Sequence, residues 1–167
     1  MSHYIRILNT LKLNINSLIL TPSQAACRSR IEDRLSYPGA VNLYGLHGVG
    51  KTVLGWAMAA NEHIEYVVHP LRLRDSLLAN ATIVFIDNVE ADRSTFRRLM
   101  GTLEAIKVER TIVVTHVPID DYVFRVELEL TEEDILIVRK NFQRLGYSID
   151  ESGWNNLWQG LLEASRD

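Results

Sequence analysis

Gly45-Leu46-His47-Gly48-Val49-Gly50-Lys51-Thr52 is the stretch on which the reading of this chain turns. It satisfies the pattern G-x-x-x-x-G-K-[ST] at every specified position. The apolar run Val41-Asn42-Leu43-Tyr44 precedes it and the helix-compatible run from Val53 to Ala60 follows, so strand, loop and helix come in the required order. The physical demand of such a loop is that backbone N–H groups converge on phosphate oxygens at a helix N-terminus, which a glycine-rich turn permits without side-chain clash. Gly45, Gly48 and Gly50 meet that demand, and the whole run 45–53, with Leu46, His47, Val49 and Val53 at the variable positions, is the expected nucleotide-binding loop. Lys51 is expected to neutralise β and γ phosphates and the Thr52 hydroxyl to ligate Mg²⁺. His47 sits at an unconstrained position and is expected to face solvent.

A site of this kind needs a carboxylate at the end of a neighbouring strand to hold magnesium through its water shell. Ile83-Val84-Phe85-Ile86-Asp87 ends in one, and Asp87 is the second expected metal residue. The next position is Asn88, whose amide accepts no proton but can orient water or hold a γ-phosphate, which points to slow hydrolysis or a nucleotide switch. Glu90 is the candidate substitute base, set against an ordinary solvated carboxylate at a helix start. Thr111-Ile112-Val113-Val114-Thr115-His116 reads as a further strand with polar residues at its C-terminal end, where open α/β sheets present groups to ligands. Thr115 or His116 is the candidate sensor of the γ-phosphate, and a plain loop histidine is the competing reading of His116.

Working outward, short apolar runs alternate with amphipathic ones, the pattern of a parallel sheet crossed by helices. The fold class is α/β. Strands are expected at 41–44, 65–68, 82–86, 111–115 and 123–130, and helices at 51–60, 72–79 and 94–106. Thr21-Pro22-Ser23-Gln24 combines a capping hydroxyl, a proline at the first helical position and a Gln three residues after the cap, which predicts a helix over 22–35. Residues 1–20 carry no clean period and are assigned to a helix. After Leu130 the pattern is helical, with caps at Thr131 and Ser148, a stripe of Ile135, Val138, Phe142 and Leu145, and a last helix presenting Trp154, Leu157, Trp158, Leu161 and Leu162. The expected organisation is an N-terminal helical extension over 1–37, a core over 38–130 and a two-helix lid over 131–167.

The 167 residues, 47% hydrophobic and 23% charged, suit one compact domain. With 18 basic against 21 acidic residues the formal charge is −3, so any nucleic-acid contact has to be local. No run is long and apolar enough for a membrane span. The single Cys27 is expected to be a small buried side chain, and the absence of a Cys/His metal spacing fits a reducing, cytoplasmic setting.

Together the loop at 45–52, the Ile83 to Asp87 strand and the Val113 to His116 strand resemble the AAA+ division of P-loop ATPases. Phe85-Ile86-Asp87-Asn88-Val89-Glu90 and Val114-Thr115-His116-Val117-Pro118 resemble the bacterial replication-initiator and helicase-loader clade. Gly48-Val49-Gly50-Lys51-Thr52 equally resembles signalling ATPases of the apoptotic and plant-resistance kind. The resemblance implies a five-stranded sheet in the order 5-1-4-3-2, ATP or ADP bound with Mg²⁺ at a subunit edge, and an arginine donated by a neighbouring subunit. Arg110 and Arg125 are the candidates for that arginine, against a reading of both as ordinary surface charges. Asn88 in place of the customary Glu, and a lid of two helices without the family's later arginine, count against efficient turnover.

Three functions remain open on these residues. The first is an ATP-binding protein with weak or partner-stimulated ATPase activity whose nucleotide state controls self-assembly or a protein partner, with DNA as a further partner. The second is a regulatory module that binds nucleotide with little hydrolysis and presents the Trp154, Leu157, Trp158, Leu161 stripe. The third is a small-molecule kinase, for which Arg72 and Arg74 are the only compact pair in place. For DNA, the candidates are Arg93, Arg97 and Arg98 on one helix and Arg28, Arg30 and Arg34 on another, each weighed against a solvated face.

Overall fold

The computed structural model describes residues 3–61, 63–73, 81–148, 154 and 156–164. Helix α1 (His3–Leu13) is followed by a 3-10 turn at Ile15–Ser17, so the expected single helix over the first twenty residues is interrupted after Leu13. The Asn14 side chain there bonds back to the Thr10 carbonyl, the local competition that makes Asn a poor helix continuer. Helix α2 (Pro22–Leu35) starts where its capping signature places it, with the Thr21 hydroxyl accepting from the Gln24 N–H and the Gln24 side chain answering at the Thr21 N–H.

Strand β1 (Gly39–Tyr44) leads through the glycine-rich loop into α3 (Lys51–Asn61), and β2 (Ile64–Val67) follows. Next come β3 (Ile83–Ile86), α4 (Arg93–Ala105), β4 (Arg110–Thr115) and β5 (Phe124–Glu127). The helix expected over 72–79 is replaced at its start by a 3-10 turn, Pro70–Arg72, and its remaining positions from 74 onward lie outside the described residues. The last strand is shorter than expected, ending at Glu127.

All four strand pairings are parallel and the order is β2-β3-β4-β1-β5, the expected 5-1-4-3-2 read from the other edge. Alternation along the central strands feeds two cores. Phe85, Ile112 and Val114 join Ile31, Leu54 and Met58 on the face covered by α2 and α3. Val84, Ile86 and Val113 join Phe96, Leu99 and Leu103 of α4 on the other. Helix α2, assigned to an N-terminal extension in the sequence, therefore covers the sheet. It also covers the open side of β5, because the Cys27 thiol donates to the Glu127 carbonyl and Arg30 reaches the Arg125 carbonyl. Burial, against the weaker pull of Arg30, raises the Cys27 thiol above its ordinary pKa.

The capped helix α5 (Glu132–Arg144) and α6 (Leu157–Ala164) pack with α1 in a third cluster containing Ile7, Leu11, Val138, Phe142, Trp154 and Leu161. The last helix starts later than its sequence signature suggests. Asn156 caps it by accepting from the Gln159 N–H, and Trp154 lies before it in irregular backbone, buried against the edge of Phe142. Residues 149–153 and the side chains of Trp158 and Leu162 lie outside the described residues. Among the described residues, no helix is long and apolar enough to cross a membrane.

Candidate functional site

The C-terminal ends of β1, β3 and β4 meet at one edge of the sheet, and the loop after β1 runs across it. Gly45 has φ +152, and a Cβ there would lie 2.2 Å from the Leu128 carbonyl oxygen, so the loop leaves the strand at a position that excludes side chains. Lys51, 7% exposed at the start of α3, turns back over the loop and donates to the Gly45 and Leu46 carbonyls at 2.5 and 2.7 Å. Burial lowers its pKa, and the Asp87 charge opposes that shift. The loop is braced from two sides: the Gln24 amide donates to the Gly50 carbonyl, and the Leu157 N–H at the start of α6 donates to the Gly48 carbonyl at 2.9 Å.

Asp87, 3% exposed at the end of β3, meets Thr52 directly. The Thr52 hydroxyl donates to its Oδ2 at 2.7 Å. These two groups present hard oxygen donors beside the Lys51 ammonium, a donor set that fits magnesium and not a soft metal. With Lys51 they border a cavity of about 320 Å³ that Leu8, Val53, Trp56, Leu157 and Leu161 also line.

No protein-family model matches the chain, and no curated protein matches it in sequence. Solved structures do match in fold. A replication initiator, DnaA, bound to AMPPCP and single-stranded DNA, superposes with a TM-score of 0.58 at 10% identity, over 91% of this chain and 63% of that one. A DNA replication initiation factor gives 0.53 at 13%, over 82% and 56%. AMPPCP-bound DnaA from Aquifex aeolicus gives 0.50 at 13%, over the same shares. The chain shares the fold of these structures, a five-stranded parallel sheet of the P-loop NTPase type. The chain spans less than two thirds of the length of each of these structures.

Within this fold the remaining candidates separate. Asn88 adopts a left-handed backbone, φ 56, which Asn tolerates well. Its N–H donates to Asp87 Oδ1 and its amide donates to the Val68 carbonyl at 2.9 Å, so the side chain leans onto the end of β2. Glu90 is exposed and is not among the residues lining the cavity.

Thr115, one of the two candidate sensors, lines the cavity and is also held from behind. Its Oγ1 donates to the Val117 carbonyl at 2.7 Å and accepts from the Asn42 amide at 2.9 Å, while Asn42 Oδ1 accepts from the Ile119 N–H. The hydroxyl thereby shapes the turn after β4. His116, the next residue, lines the cavity as well. It stacks on His47, ring centroids 3.5 Å apart, so His47 is exposed yet partnered, which its unconstrained place in the motif did not reveal. Partial burial, the neighbouring His47 and the Lys51 charge lower the His116 pKa, with Asp87 opposing.

Both arginine candidates are placed by the sheet register. Arg110 opens β4 opposite Gly39 and Ile83, at the end of the sheet remote from the loop, because parallel strands put all their starts on one side. Arg125 lies inside β5 and donates to the Ile119 carbonyl at 2.5 Å, which ties it to its own connecting turn. The two basic clusters are likewise engaged within the chain. Arg28 pairs with Glu32, Arg34 caps the turn at Tyr37 and Pro38, and Arg93 and Arg97 flank Asp121. Arg98 is exposed, Arg72 lies in the exposed Pro70–Arg72 turn, and Arg74 falls outside the described residues.

Sequence reasoning missed Tyr66, Asn42 and Leu157. Tyr66 donates its hydroxyl to Asp87 Oδ2 at 2.7 Å. A signal for Asn42 existed, since an amide inside an otherwise apolar strand needs buried partners. Nothing local marks Tyr66 or the Leu157 N–H, whose partners are 21 and 109 positions away.

Proposed function

We propose that this chain binds ATP or ADP with Mg²⁺ at the 45–53 loop and uses the bound nucleotide to control its assembly with copies of itself or with a protein partner, hydrolysing ATP weakly. The observation that carries the reading is the meeting of Lys51, Thr52 and Asp87 on one cavity with apolar side chains in its lining. Lys51 supplies the compact positive charge, the loop N–H groups and the α3 N-terminus receive phosphate oxygens, and Thr52 with Asp87 hold the metal. Magnesium, when bound, neutralises charge on the β and γ phosphates. His116 is the group placed to meet the terminal phosphate, and it is held neutral near pH 7 by its surroundings.

Weak turnover follows from Asn88, whose amide cannot take a proton from water and is engaged by Val68. The switch reading draws on the bond from the Leu157 N–H to the Gly48 carbonyl, which joins the loop to the C-terminal helix, so a change at the loop reaches α6 without an intermediary. A DNA partner remains a finer proposal resting on Arg98 and its neighbours.

The test is calorimetric binding of Mg-ATP and Mg-ADP, paired with phosphate release at several protein concentrations. Wild type should bind both nucleotides, Lys51→Ala should lose about tenfold or more in affinity with its fold intact, and release per chain should rise with concentration. Equal binding by wild type and Lys51→Ala would refute the reading.

A further inference from the structure

Asp87 accepts hydrogen bonds from three donors. Oδ2 accepts from the Thr52 hydroxyl and from the Tyr66 hydroxyl, both at 2.7 Å, and Oδ1 accepts from the Asn88 N–H at 2.8 Å. A carboxylate offers about four acceptor positions over its two oxygens. Three are taken, and the one left is on Oδ1.

The phenol that takes one of them sits in a built position. Its ring stacks on Phe85 with centroids 5.5 Å apart and planes 23° from parallel, and the Lys12 ammonium lies 6.0 Å from its centroid. Gly55 on α3 leaves the room for this stack: a Cβ there would come within 2.5 Å of the Phe85 ring and 2.9 Å of the Tyr66 ring. Burial and the adjacent Asp87 charge raise the phenol pKa well above its ordinary value, so it stays a donor through the physiological range.

We propose that Tyr66 is a positioning residue for the metal carboxylate: its hydroxyl pins Asp87 through Oδ2, turns Oδ1 toward the cavity, and thereby sets the magnesium dependence of nucleotide binding. The proposal rests on the nucleotide reading above. Without the phenolic proton, the carboxylate is held only by Thr52 and Asn88, and Thr52 is itself a metal-binding group. Loss of such an outer hydrogen bond to a ligating carboxylate costs about 10- to 100-fold in metal affinity.

The experiment is a magnesium titration of fluorescent ATP-analogue binding for wild type, Tyr66→Phe and Phe85→Leu, each also measured in EDTA, with direct Mn²⁺ binding by electron paramagnetic resonance as a second readout. Tyr66→Phe should raise the half-saturating metal concentration about tenfold or more while the affinity in EDTA stays unchanged. Phe85→Leu, which loosens the stack and keeps the hydroxyl, should leave the metal midpoint at the wild-type value. An unchanged midpoint in Tyr66→Phe, or an equal shift in Phe85→Leu, overturns the role of the hydroxyl while wild-type binding leaves the nucleotide reading standing. Wild type that binds neither nucleotide nor Mn²⁺ overturns both.

Discussion

Asp87 and Asp134 are both buried carboxylates, 3% and 0% exposed, yet their donors differ. Asp134 takes the N–H and hydroxyl of Ser23 at the start of α2, and the N–H and hydroxyl of Thr131 at the start of its own helix. Two of these donors are backbone groups that cannot turn without moving a helix. Asp87 takes two side-chain hydroxyls and one N–H. A hydroxyl proton re-aims by rotation about one bond, so the same residue type makes a fixed clamp between α2 and α5 in one place and an adjustable acceptor at the loop edge in the other. The number of backbone donors, two at Asp134 and one at Asp87, more than the carboxylate's burial, separates the two acids.

The sharpest way to break this comparison is Asp134→Asn, which sets an amide against N–H donors and should cost about 2 to 3 kcal/mol in urea unfolding. Burial raises the Asp134 pKa, but the hydrogen bonds from Ser23 and Thr131 outweigh it, and the folded value lies below 3.8. The contribution is therefore complete above the unfolded value and is lost as pH falls through the folded one. Wild type and Asp134→Asn should converge in stability in acid, and a constant gap down to that range would remove the clamp.

A smaller effect on stability is expected for Asp87→Asn, about 1 kcal/mol, because its hydroxyl partners can turn to other acceptors. Its nucleotide affinity in the presence of Mg²⁺ should fall about tenfold or more while binding in EDTA stays unchanged, as read by calorimetry. A stability loss matching that of Asp134→Asn would erase the distinction between the two carboxylates.

The smallest effect belongs to the histidine pair. The folded His116 pKa lies below 6.5, so the unfolded chain binds more protons in that range and stability declines as pH falls from neutrality through the folded value. Thermal melts from pH 7.5 to 5.5 should show a shallower decline in His116→Gln than in wild type. An identical decline would place the titration elsewhere.

How much of this was legible depended on where each partner lies along the chain. The loop at 45–52 follows from a backbone requirement that Gly45, Gly48, Gly50, Lys51 and Thr52 meet within eight residues, and the helix starts at Thr21 and Thr131 follow from caps that close within three. Continuous apolar runs at Ile83 to Ile86 and Ile112 to Val114 predicted a central parallel sheet because strands buried on both faces carry few polar positions. The start of the last helix was misplaced because Asn156 competes as a cap with the Ser148 signature.

The sequence by itself determined the α/β class, the phosphate-type loop, the strand carboxylate and the capped helices, since each is governed by contacts among near neighbours. Only the tertiary structure decided that Tyr66 reaches Asp87, that Asn42 donates to Thr115, that the His47 ring meets His116, and that Leu157 holds Gly48. Those choices depend on which strands lie side by side and on where a rotatable hydroxyl or a free carbonyl finds its nearest partner, and spacing along the chain carries neither.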